Sequence, residues 1–191
     1  MARPMALDHR MPEMTATQSR HSRHPEDQNA PVAPRQRVGY FLLGCILFAA
    51  YAIQSAAGLH WPWLAELQTT DFYKQISGFC LLVFIDHQWH LSVLRSRGLM
   101  RKAGGLLRSH KLVGALAPLF LYAHAQTLGY AYQQMISAIF FGIFLSGLFN
   151  QEISRIRGRW FHALWLMGHA GLSMALLVLL AYHVFVTYAY Q

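Results

Sequence analysis

Residues 109–124 read Ser109-His110-Lys111-Leu112-Val113-Gly114-Ala115-Leu116-Ala117-Pro118-Leu119-Phe120-Leu121-Tyr122-Ala123-His124, an apolar stretch with a histidine near each end. Farther along, Gly168-His169-Ala170 and Ala181-Tyr182-His183 repeat the arrangement, and in both stretches the two histidines stand 14 residues apart. In an α-helix 14 residues climb about 21 Å and return to within roughly 40° of the starting direction. Each stretch therefore predicts one helix carrying two imidazoles on one face, far apart along its axis.

The sequence around these helices is apolar enough to make the bilayer part of the solvent. Of 191 residues 54% are hydrophobic and the mean hydropathy is +0.25, above the range of ordinary soluble domains. Runs at about 38–59, 75–94, 106–130, 135–149 and 160–189 predict five spans, since about 20 apolar residues cross a hydrocarbon core of about 30 Å. The expected fold is an all-α integral membrane bundle with a four-helix core around the histidines. His60-Trp61-Pro62-Trp63 suits an interfacial turn. Residues 1–37 contain Pro4, Pro12, Pro25, Pro31 and Pro34 among polar residues and lack a signal-peptide core, which predicts a disordered, basic cytoplasmic tail.

Charge sets the orientation. Six Lys/Arg precede the first run, six lie between Arg95 and Lys111, three lie between Arg155 and Arg159, and Lys74 stands on the opposite side. By the positive-inside rule the N-terminus is cytoplasmic and the C-terminus external, as in a bacterial inner membrane. Cations blocked between apolar runs read as topology signals, so the net charge of +8 does not point to nucleic acid. With this topology the two histidine helices run in the same direction. His110 then matches His169 in depth on the cytoplasmic side, and His124 matches His183 on the outer side.

Two neutral imidazoles facing each other at each of two depths suit the axial positions of two b-type haems, giving six-coordinate iron fit for one-electron transfer across the membrane. Gly114, Gly168, Ala170 and Gly171 are the small residues a flat macrocycle needs against a helix. Arg108 and Lys111 are candidates to pair with its propionates. His162, two turns before His169, is a rival inner ligand, although 14 residues beyond it stands Leu176. Asp86, His87 and His90 form a polar cluster that reads as a wetted helix end. Cys45 and Cys80 lie in apolar runs, and the sequence contains no C-x-x-C-H for covalent haem attachment. It also contains no phosphate-cradling glycine loop, H-E-x-x-H or nucleophile elbow, so any enzymatic role is that of the electron-transfer component of an oxidoreductase. Two other readings use the same residues: a transport or metal-binding protein whose histidines relay protons or hold a transition metal, and a structural anchor subunit without redox chemistry.

The run from Ser109 to His124 resembles a haem helix of the ferric reductase-like transmembrane domain family, in which a histidine, a basic residue and a glycine open the helix and a second histidine follows near its outer end. Trp160 to Tyr188, with His169 and His183, resembles that family's second haem helix, and the resemblance extends over roughly residues 75–190. Lys111 stands where the family usually has arginine, Pro118 interrupts the run, and five spans replace the six of larger members. The resemblance implies a membrane electron-transfer subunit with His110, His124, His169 and His183 as iron ligands. A separate flavoprotein or membrane quinol would be the donor and an external molecule the acceptor. The same paired spacing resembles that of the cytochrome b subunit of quinol–cytochrome c oxidoreductases.

Overall fold

The computed structural model describes residues 34–149 and 158–190, and among them every regular element is an α-helix. In chain order these are α1 (Pro34–Ala56), α2 (Pro62–Leu67), α3 (Asp71–Ser96), α4 (Met100–Ala115), α5 (Ala117–His124), α6 (Tyr132–Leu148) and α7 (Arg159–Ala189). Most of the expected tail, residues 1–33, lies outside the described residues, as do Arg155 and Arg157 of the third basic block. Residues 34–37, expected to be part of the tail, instead form the first turn of α1. Proline at a first helical position sacrifices no hydrogen bond and brings a helix-ready φ.

Helix α3 outruns the expected 75–94 at both ends. Thr70 enters with extended backbone, Asp71 occupies the first turn and Arg95 the last, so both charges oppose the helix dipole favourably.

The expected single span at 106–130 is corrected in two ways. First, it is broken between α4 and α5 at Leu116. Pro118 has no N–H to give the Gly114 carbonyl, and its ring crowds that carbonyl. Leu116 N–H turns back instead to the Val113 carbonyl at 3.1 Å, and the proline itself is buried almost completely. Second, the helix stops at His124, because Ala125 is extended and sends Gln126 inward. The Gln126 side chain, 3% exposed, accepts from Trp61 N–H at 2.9 Å and donates to the Trp61 carbonyl at 3.4 Å. Gln68 completes the tie by donating to the Tyr122 and Ala123 carbonyls at 2.9 and 3.1 Å. The short helix α2 is thereby fastened across the end of α5.

The core gathers Tyr51 of α1, Leu81, Phe84 and Ile85 of α3, Ala117 and Leu121 of α5, Phe140, Phe141 and Phe144 of α6, and Leu176 of α7. Phe141 is its hinge point, with Tyr51 and Phe48 at centroid distances of 5.1 and 5.2 Å, within the range of favourable aromatic pairs. Helix α7 packs principally on α6, and α6 also touches α4, while α3 and α1 both pack on the α4–α5 pair.

Among the described residues two helices are long and apolar enough to cross a membrane, Val38–Ala56 within α1 and Arg159–Ala189. Their outward residues remain apolar: Ile46, Ile53, Met167, Val178 and Phe185 are each about two-thirds exposed. Apolar surface on this scale marks contact with lipid or another protein. Helix α6 is equally apolar in character but only 17 residues long.

Candidate functional site

The four histidines fall into two couples. His110 of α4 acts electrostatically on His169 of α7, and His124 at the end of α5 acts on His183 of α7. The earlier histidine of one helix thus lies within electrostatic range of the earlier histidine of the other, and the later within range of the later. α4–α5 and α7 therefore run in the same sense, with the couples at different heights.

Each imidazole has a distinct surrounding. His169 Nδ1 lies 2.7 Å from Ser146 Oγ of α6. His124 Nδ1 lies 3.1 Å from Ser77 Oγ of α3. His183 Nδ1 lies 3.4 Å from the Tyr132 hydroxyl at the start of α6. His110 Nδ1 is buried without a hydrogen-bond partner; the Gln88 backbone carbonyl acts on the ring but closes no bond to that atom. Three of the four rings are thus held through Nδ1 by a hydroxyl from a helix that carries neither member of their couple.

Between His110 and His169 lies a cavity of about 510 Å³, within the range of small-molecule and cofactor sites. Gln88, Arg95, Lys111, Gly114, Gly147 and Trp165 are among the side chains and backbone that line it. Gln88 Nε2 is, like His110 Nδ1, buried without a hydrogen-bond partner. Two orphaned polar atoms on one cavity wall call for a polar partner there, since leaving such groups bare costs about 1–3 kcal/mol each.

Gly114 and Lys111, singled out from sequence, are on this wall. Arg108 is not among the residues that line it: two residues from His110 its Cα–Cβ direction is about 200° around the helix, whereas Gly114, four residues on, returns to within about 40°. Arg95, at the end of α3, supplies the guanidinium instead, close enough to act on His110. Of the other small residues, Gly168 and Gly171 face open space and are not among the cavity's lining, while Ala170 lines it. His162 also lines it, stacked on Trp165 at 6.0 Å, and Trp165 stacks in turn on His169 at 5.5 Å. His87 belongs to the same end of the molecule, with Nε2 2.8 Å from the Ser109 hydroxyl.

The outer couple opens elsewhere. His124 lines a second pocket of about 410 Å³ with His60, Gln68, Thr69 and Gln126. His60 is an exposed residue that shares this pocket with His124.

Sequence reasoning missed Ser77, Ser146, Tyr132 and Gln88. The available signal was polar residues inside apolar helices, each needing a partner. Among the described residues no three His, Cys, Asp or Glu side chains converge as a metal site would require. Paired imidazoles are too few for a closed zinc site, which takes four protein ligands. No protein-family model, no curated protein and no solved structure matches this chain.

Proposed function

We propose that this chain is a dihaem b-type cytochrome, a five-span membrane protein that carries electrons across the bilayer as the membrane subunit of a reductase or quinol-linked system. The observation that carries this reading is the pair of in-register histidine couples, His110 with His169 and His124 with His183. A haem when bound supplies one-electron oxidation and reduction at an iron whose axial positions are filled.

The residues present fit such a group. His110 and His169 line one cavity, Gly114 and Gly147 keep its walls low, and Arg95 and Lys111 are the cations on its lining that would hold carboxylates. The outer couple has its own hydroxyl contacts, Ser77 on His124 and Tyr132 on His183. Lodging both haems in one bundle leaves electrons a route between leaflets that crosses no water.

Orientation follows the cations. Arg95, Arg97, Arg101, Lys102 and Arg108 cluster around the α3–α4 turn, and Arg159 opens α7, all at the His110–His169 end. At the other end Lys74 pairs with Asp71 at 3.4 Å. The His110 end therefore faces the cytoplasm, where a flavoprotein or quinol would donate, and the His124 end faces an external acceptor.

The test is direct. Protein purified from haem-replete cells should show a reduced b-type spectrum and about two haems per chain by pyridine haemochrome, the number set by two couples. A folded, colourless preparation would overturn the reading.

A further inference from the structure

Two helices that carry none of the four paired histidines contain the same dipeptide in the same role. Ser77-Gly78 of α3 meets His124, and Ser146-Gly147 of α6 meets His169. At each, the serine oxygen is at Nδ1, and the following glycine faces the adjacent ring carbon. A Cβ on Gly78 would stand 3.4 Å from His124 Cε1, and one on Gly147 3.5 Å from His169 Cε1. A Cβ would just touch the ring at either glycine, so only a side chain larger than alanine would push it away, while the serine lies at its nitrogen.

The serines also decide where the imidazole proton resides. A hydroxyl has one proton to give. Ser146 Oγ has the Ile143 carbonyl at 2.7 Å to take it, and Ser77 Oγ has the Lys74 carbonyl at 3.3 Å. With the hydroxyl proton on that carbonyl, each oxygen has only acceptor capacity toward the ring, and the hydrogen between them is on Nδ1. In a neutral imidazole whose Nδ1 is protonated, Nε2 carries the lone pair.

We infer that Ser77-Gly78 and Ser146-Gly147 are two copies of one positioning device, which sets the tautomer and tilt of His124 and His169 so that Nε2 is presented as an electron-pair donor. Each couple holds one such seated imidazole. Its mate is held less strictly: His183 by a phenol that can give or accept, His110 by nothing at Nδ1. What Nε2 binds rests on the haem reading; the tautomer does not. Partners of this kind on a ligating histidine typically govern metal affinity by about 10–100-fold.

The full chain, labelled with ¹⁵N-histidine and held in nanodiscs without haem, tests the device by NMR. His124 and His169 should show the Nδ1–H tautomer. Ser146→Ala should abolish that preference at His169 alone, Ser146→Thr should restore it, and Gly147→Ile should disturb it by displacing the ring with the hydroxyl intact. Haem titration of the same samples should show affinity at the inner site falling about 10–100-fold in Ser146→Ala and recovering in Ser146→Thr. If Ser146→Ala leaves both tautomer and affinity unchanged, the device is refuted while the haem reading stands. If the tautomers behave as stated but haem does not bind the wild-type chain, the device stands and the haem reading falls.

Discussion

The Trp165 indole lies over the His169 imidazole, ring centroids 5.5 Å apart and planes 16° from parallel, while its Nε1–H donates to the Ser146 carbonyl at 2.7 Å. One side chain thus locks the histidine to the residue that holds its nitrogen. Trp165→Leu removes the stack and the hydrogen bond together, and we expect a loss of about 1–2 kcal/mol in detergent unfolding. Trp165→Phe should recover the stacking share only. Equal stability of all three would show that the contact contributes nothing.

Removing single ligands should separate the couples. His169→Ala and His110→Ala are each expected to lose one haem and leave the other, and His124→Ala and His183→Ala to lose the complementary one. His162→Ala should keep two, because His162 stacks on Trp165 at the cavity wall and is not the partner that His110 meets. Haem counts with difference spectra decide this, and a one-haem His162→Ala protein would restore His162 as the inner ligand.

Pro118→Ala returns an N–H to the α4–α5 junction, allowing the helix to close over the Gly114 carbonyl. Continuous winding would rotate His124 relative to His110. The expected result is reduced occupancy at the outer couple with the inner one kept, read by the same spectra. Undiminished outer haem would mean the break at Leu116 has no part in aligning the couples.

Gln126→Ala should leave the Trp61 backbone without its side-chain partner, at a cost of about 1–3 kcal/mol. Hydrogen exchange at Trp61 is expected to accelerate strongly, and helix α2 should become the first site of proteolysis. Unchanged exchange would place the fastening elsewhere, for instance in Gln68 alone.

Tyr51 offers a prediction of opposite sign. Its hydroxyl is buried with no partner, so Tyr51→Phe removes an unsatisfied group while keeping the ring against Phe141 and Tyr122. Stability should stay equal or rise by up to about 1 kcal/mol, seen as an unchanged or higher melting temperature. A clear drop would reveal a bond made by that hydroxyl.

The approximate helix positions were legible because they depend on a helical period read from apolar spacing, but the alignment of positions 110 and 124 was not, since the break at Leu116 resets the winding between them. The location of Gly114 on the cavity wall and of Arg108 off it follows from the same geometry. The end of α5 was not legible, since Ala125 leaves the helix only because Gln126 finds Trp61, 65 residues away in sequence. Ser77 and Ser146 escaped for a related reason: a serine in an apolar helix can satisfy itself on its own turn, and only the fold shows that its remaining lone pairs face a ring on another helix. Arg95 was visible as one cation in a basic block, yet nothing in the block distinguished it from Arg97 until the α3–α4 packing turned it toward His110.

Helix α6 contains no histidine, yet it touches α4 and α7, which carry His110 and His169. Phe140 and Phe144 form part of the wall between them, so the span from His110 to His169 is a property of aromatic girth in a bystander. Trimming those rings would bring the jaws together and enlarging them would spread the jaws, so the chain sets the gap between two imidazoles with residues that carry no donor atom of their own.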